Sequence, residues 1–90
     1  MRNAVYYTQF KRDMKRIHLR GYDMEKLKEA MQLLIVEEPL PERYKDHALR
    51  GEWRLFRDLH VEPDWLLIYK IDGADCIFAR TGTHADLFSK

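Results

Sequence analysis

Two apolar runs, Trp65–Ile71 and Asp75–Thr81, flank an Asp72-Gly73 pair. Asp-Gly between such runs predicts a tight antiparallel hairpin, because glycine takes at no steric cost the positive φ these turns need. The first run is nearly all apolar, as a central strand covered on both faces would be. Such a strand needs neighbours and helical cover, so the hairpin restricts the chain to a layered sheet protein.

The flanking sequence supplies both. Trp53 to Val61 alternates, with Trp53, Leu55, Leu59 and Val61 on one side and Arg54, Phe56, Asp58 and His60 on the other. That period predicts a half-buried strand. Glu62-Pro63-Asp64 reads as the turn into the next strand. Residues 39–51, with Pro39, Pro41 and Gly51, read as a loop holding at most a short strand. Ala4–Tyr7 predicts a first strand, and Thr8 is placed to cap the following helix. Phe10, Met14 and Ile17 form that helix's core stripe, and Gly21 is its natural stop. Asp23 predicts the cap of a second helix, with a buried stripe of Leu27, Ala30, Met31 and Leu34 widened by Ile35. Pro39 ends it by about Glu38. His84 to Phe88 suits one closing helical turn.

The predicted architecture is α+β in two layers. An N-terminal strand and a helical hairpin pack on an antiparallel β-sheet of three or more strands, within one domain over residues 1–90. Ninety residues support one compact core.

A single cysteine, Cys76, excludes an internal disulfide, and no run approaches the ~20 apolar residues of a membrane span. Both point to a cytoplasmic protein with no membrane partner. Net charge is +1, but residues 1–22 carry +5 and residues 23–42 carry −4. A basic first helix suits a polyanion, although two ordinary solvated helix faces produce the same pattern.

The meander has a consequence for chemistry. The end of the 75–81 strand must lie near the start of the 65–71 strand, so His60, Asp64, Trp65, Arg80 and His84 share one edge. His47 reaches that edge from the preceding loop, without being forced there. Imidazole titrates near neutrality and serves as acid or base, and arginine offers a planar fork for phosphate oxygens. Such a group suits metal-free cleavage of RNA, which needs a base for the 2′-hydroxyl, an acid for the leaving 5′-oxygen and fixed positive charge. Trp65 and Phe88 are candidate base-stacking platforms, and Lys45 is a candidate substrate contact beside His47. Blander roles stand next to these. Arg80 can pair with Asp58 or Asp64, and Trp65 and Phe88 can belong to the core. His18 reads as a surface residue and Cys76 as an inert core thiol. Three histidines spaced by 13 and 24 residues match no compact zinc signature.

At these positions the sequence resembles the YafQ-like toxins of bacterial type II toxin–antitoxin systems, within the RelE/ParE superfamily. The likeness rests on Tyr44-Lys45-Asp46-His47, Arg57-Asp58-Leu59-His60-Val61-Glu62-Pro63-Asp64-Trp65, Leu67-Ile68-Tyr69-Lys70, Arg80-Thr81-Gly82-Thr83-His84 and Leu87-Phe88. It implies a RelE-like fold and a ribosome-dependent endoribonuclease that cuts messenger RNA in the decoding site without a cofactor. It implies a cognate antitoxin, and contact with operator DNA only through the antitoxin complex. His47, His60, Asp64 and His84 then correspond to the acid–base residues, Arg80 to the transition-state arginine and Phe88 to the terminal aromatic. His84 is expected as the acid, and His60 or His47, helped by Asp64, as the base. The alternative is a ParE-like toxin that binds DNA gyrase without catalysis, for which a histidine-rich edge has no use.

Overall fold

In the computed structural model, which describes residues 1–88, the expected hairpin is the centre of a five-stranded sheet. The elements are β1 (Asn3–Tyr6), α1 (Thr8–Leu19), α2 (Met24–Ile35), β2 (His47–Ala48), β3 (Arg57–Glu62), β4 (Trp65–Asp72), β5 (Asp75–Gly82) and α3 (His84–Phe88). The strand order is β1-β5-β4-β3-β2. β2 through β5 pair antiparallel, and β1 joins the far edge parallel to β5. Asp72 pairs with Asp75, so the loop is Gly73-Ala74, with Gly73 at φ +60° in its first position.

The helix signals lie where the patterning put them. Gly21, at φ +86°, ends α1 in a double clasp: its N–H donates to the His18 carbonyl, and the Tyr22 N–H donates to that of Ile17. Asp23 caps α2 by accepting from the Glu25 N–H at 3.1 Å. Thr8 differs from expectation: it is the first helical residue, and Tyr7 at the N-cap position makes no side-chain capping bond.

The core lies between the helices and one sheet face. Phe10 and Ile17 of α1 and Leu27, Ala30 and Leu34 of α2 meet Leu59, Leu67, Tyr69, Cys76 and Phe78. Each large side chain so buried contributes about 1.5–3 kcal/mol. Burial pushes the Cys76 thiol up to about 11, which leaves it un-ionised and inert at neutral pH.

The strand expected over 53–61 is shorter. Gly51–Trp53 forms a 3₁₀ turn, β3 begins at Arg57, and Leu55 is exposed rather than on the core side. The segment folds back so that Phe56 meets Tyr7 and Trp53 edge-on and lies under the Lys70 ammonium. The alternation was real, but local turn geometry claimed its first half.

Candidate active site

The sheet face turned away from the core carries the candidate residues. Directly paired residues point to the same face of a sheet. His47 pairs with Asp58, Asp58 with Ile68, and Ile68 with Arg80; His60 pairs with Leu66, and Leu66 with Gly82. These are two neighbouring rows across one face, with buried Leu66 and Ile68 as their floor.

A β-bulge decides where Arg80 points. Tyr69 pairs with Phe78, yet Ile68 pairs with Arg80, so Ala79 is an extra residue in β5. Strict alternation would send Arg80 to the core face with Phe78; the bulge turns it onto the histidine face. A second irregularity, between His60 and Glu62, ends the regular ladder beside His60.

The three imidazoles form a chain. Ring centroids are 6.2 Å apart for His47 and His60, and 5.8 Å for His60 and His84. Each ring is oriented through Nδ1. His47 Nδ1 lies 2.8 Å from the Lys45 carbonyl, His60 Nδ1 3.2 Å from that of Pro63, and His84 Nδ1 2.5 Å from Asp64 Oδ1. Carbonyl and carboxylate oxygens only accept, so each Nδ1 carries the hydrogen. Among the described residues all three Nε2 atoms are left without a hydrogen bond.

His84 is placed by its own helix start. Thr83 and Asp86 cap each other: the Asp86 N–H donates to Thr83 Oγ1, and the Thr83 N–H to Asp86 Oδ2. The His84 N–H donates to Asp64 Oδ1 at 2.9 Å. That backbone bond, followed by the bond from the His84 ring, holds the Asp64 carboxyl below the usual carboxylate range. Asp64 is therefore bonded to His84, whereas the sequence reading sets it beside His60 or His47.

The carboxylate beside His47 is Asp58. It is 4% exposed, and its Oδ1 lies 3.1 Å from His47 Nδ1 without a hydrogen bond among the described residues. Burial raises its pKa, against the pull of His47, His60 and His84. In the sequence Asp58 reads as a polar position in an alternating strand and as a candidate partner of Arg80; its pairing with His47 needs β2. The loop before His47 is anchored by Asp46, which takes Nε and Nη2 of Arg57 at 3.2 and 2.9 Å and the hydroxyl of buried Tyr69.

The remaining expectations divide. Trp65 lies at the right edge but faces the core, 1% exposed, edge-on to Tyr22, with its indole N–H donating to Thr81 Oγ1. It is not a stacking platform. Phe88 is 40% exposed. Lys45 sits with Lys26, Arg43 and His60 around a cleft of about 630 Å³. Arg80 bonds neither Asp58 nor Asp64; its partner is Asp13 of α1, at 2.7 Å.

A family model for the bacterial toxin of type II toxin–antitoxin systems, YafQ, matches residues 2–89. The chain belongs to the YafQ family. The mRNA interferase toxin YafQ of Escherichia coli K12 is 52% identical over 88 residues, 97% of this chain and 96% of that protein. YafQ in the E. coli DinJ–YafQ complex superposes with a TM-score of 0.91 at 52% identity, over 98% of this chain and 99% of that one. A metal-bound toxin from Helicobacter pylori gives 0.91 at 34% identity, over 98% and 100% of the two chains. In this YafQ-family chain, ligand atoms of His47, Asp58 and His60 lie within 4.8 Å of one another. Two imidazoles and a carboxylate suit a first-row cation. A cation held there would take ring lone pairs that proton transfer requires.

Proposed function

We propose that this toxin is an mRNA interferase that cuts message in the ribosomal decoding site by metal-independent acid–base catalysis. The observation that carries this reading is the chain of three imidazoles with each Nδ1 tied to an oxygen and each Nε2 left for a substrate. In the reaction, Nε2 of His60 or His47 takes the 2′-hydroxyl proton. The 2′-oxygen attacks the adjacent phosphorus, and the P–O5′ bond breaks. His84, as the imidazolium with a hydrogen on both ring nitrogens, gives its Nε2 proton to the departing 5′-oxygen and is left neutral, its Nδ1–H still on the ionised Asp64. The products are a 2′,3′-cyclic phosphate and a 5′-hydroxyl. Arg80 holds the phosphate oxygens as charge develops, and Phe88 stacks beside the scissile site.

Lys45, on the cleft beside His60, is the basic contact for the message; Lys26 and Arg43 on the same cleft are paired with Glu62 and Glu29. The basic residues of α1 suit ribosomal RNA, and contacts of that kind weaken as salt rises. The partners in this reading are ribosome, message and a cognate antitoxin, with operator DNA engaged only through the antitoxin complex. The 52% identity to an interferase favours this reading over a gyrase-binding toxin.

The deciding experiment maps message 5′ ends after brief induction. Cuts in phase with codons are expected. His84→Ala should lose roughly 10²–10⁴-fold in cleavage, the scale of general acid–base catalysis. Near-wild-type cutting by that variant would remove His84 from the mechanism. DNA damage without translation arrest would move the protein to the gyrase-binding class.

A further inference from the structure

β1 is four residues long and pairs only with Asp75 to Phe78, which leaves the outer edge of residues 79–82 without a neighbouring strand among the described residues. The carboxylate of Asp13, fully buried in the middle of α1, fills that gap. Asp13 Oδ2 accepts the Thr81 N–H at 3.1 Å and Arg80 Nε–H at 2.7 Å; Oδ1 accepts Arg80 Nη2 at 3.3 Å, Arg16 Nη2 at 3.0 Å and Gln9 Nε2 at 3.2 Å. Five donors on one carboxylate leave it no spare acceptor direction.

The geometry points to Asp13 as the positioning residue that aims Arg80 at the scissile phosphate. This rests on the nuclease reading above. A guanidinium has five N–H donors in a rigid fork. Asp13 takes the Nε–Nη2 edge, and among the described residues Nη1 makes no hydrogen bond. With the side chain 20% exposed, the donors left over are those a phosphate can reach. The bulge at Ala79 puts Arg80 on the histidine face, and Asp13 fixes its rotation there. Arg80 lies in the same row as Asp58, about 10 Å away at two strand spacings.

The same helix holds the acid. Arg16, bonded to Asp13, lies 3.9 Å from Asp86 Oδ2, and Asp86 caps the start of α3 where His84 sits. α1 thus sets the transition-state cation and the proton donor from one rigid element, as preorganised catalysis requires.

The test is single-turnover cleavage of a defined message on programmed ribosomes by wild type, Asp13→Asn, Arg80→Ala and the double variant, each checked by circular dichroism at the assay temperature. Asp13→Asn should lower the cleavage rate roughly 10–100-fold, the cost of ångström-scale misplacement. Its half-saturating ribosome concentration should stay within about twofold, because uniform binding is untouched. In the Arg80→Ala background, Asp13→Asn should reduce the rate no further, which a purely structural role would not produce. If Asp13→Asn does not fold, Asp13→Glu keeps the charge, displaces the fork and should show the same loss and the same non-additivity. Faster cutting by Asp13→Asn would mean that Asp13 sequesters Arg80 and would overturn the proposal, as would equal losses in both backgrounds. Wild type that leaves ribosome-bound message intact would instead sink the nuclease reading itself.

Discussion

Asp13 and Asp58 are both buried aspartates, on opposite sides of the candidate site, and the fold treats them in opposite ways. Asp13 receives five donors, two of its partners being guanidinium groups. Asp58 has an oxygen with no hydrogen bond among the described residues and a carboxyl whose pKa burial has raised. A saturated buried carboxylate locks its surroundings, whereas an unsaturated one costs stability and stays responsive to protons nearby. In the proposed mechanism, the arginine to be aimed stands beside the first and the imidazoles that exchange protons stand beside the second.

The largest expected effect breaks the first side. Asp13→Leu leaves Arg80, Arg16 and the Thr81 N–H without their shared acceptor. Removing one member of a buried ion network costs about 3–5 kcal/mol, and partial exposure of both arginines favours the lower end. For a domain this size that is a fall in Tm on the order of 15 °C. Thermal denaturation by circular dichroism reads it directly. A fall below about 5 °C would show that the saturated network contributes little, and the contrast with Asp58 would vanish.

The second side should respond in the reverse direction. Asp58 has a folded pKa raised above the ordinary value of 3.8. For an acid this means a penalty that is absent below the unfolded pKa and appears as pH rises through the folded one. Asp58→Asn removes that penalty, so at pH 8 the variant should melt about 2–5 °C higher than wild type, with the gain fading below about pH 4. Cleavage should fall by roughly tenfold as His47 loses its anionic neighbour. A variant less stable at pH 8, or equally active, would show that Asp58 is an ordinary structural acid.

The sequence made one of these sides far more legible than the other. The hairpin at Asp72–Asp75, the Gly21 stop, the Asp23 cap and the α2 stripe follow from local backbone rules, and local rules act over a few residues. The meeting of His60, Asp64 and His84 followed from meander topology alone. What remained hidden depends on register and distance along the chain. The Ala79 bulge reverses the face of Arg80, yet alanine in a strand announces no bulge. Asp13 lies 67 residues from Arg80, in a helix whose pattern marked it as one acid among basic neighbours. β2 is two residues long, too short to carry an alternation, and it is what puts His47 against Asp58. Trp65 was read at the correct edge but on the wrong face for stacking, because an all-apolar strand does not say which side faces the helices.

The smallest effect tests how far the saturated network extends toward solvent. Arg20 donates to both oxygens of Asp86, at 2.7 and 3.1 Å, and is itself exposed. Its hydrogen bond is the leading reason that the Asp86 carboxyl is held far below the usual carboxylate range; the Thr83 backbone N–H and Arg16 act in the same sense. A depressed acid stabilises the fold above its unfolded pKa of 3.8 and loses that contribution as pH falls through its folded value. Arg20→Ala should therefore melt a few degrees lower than wild type at pH 7. The gap should narrow in strong acid, as Asp86 takes a proton, and narrow at pH 7 when salt is raised, because the pair faces water. Melts at both pH values and two salt concentrations decide it. A gap independent of both would mean that Arg20 acts through packing of its stem on α1 and α3. Tight, charge-based coupling would then stop at Asp13 and Arg16 and would not reach the capping carboxylate of the His84 helix.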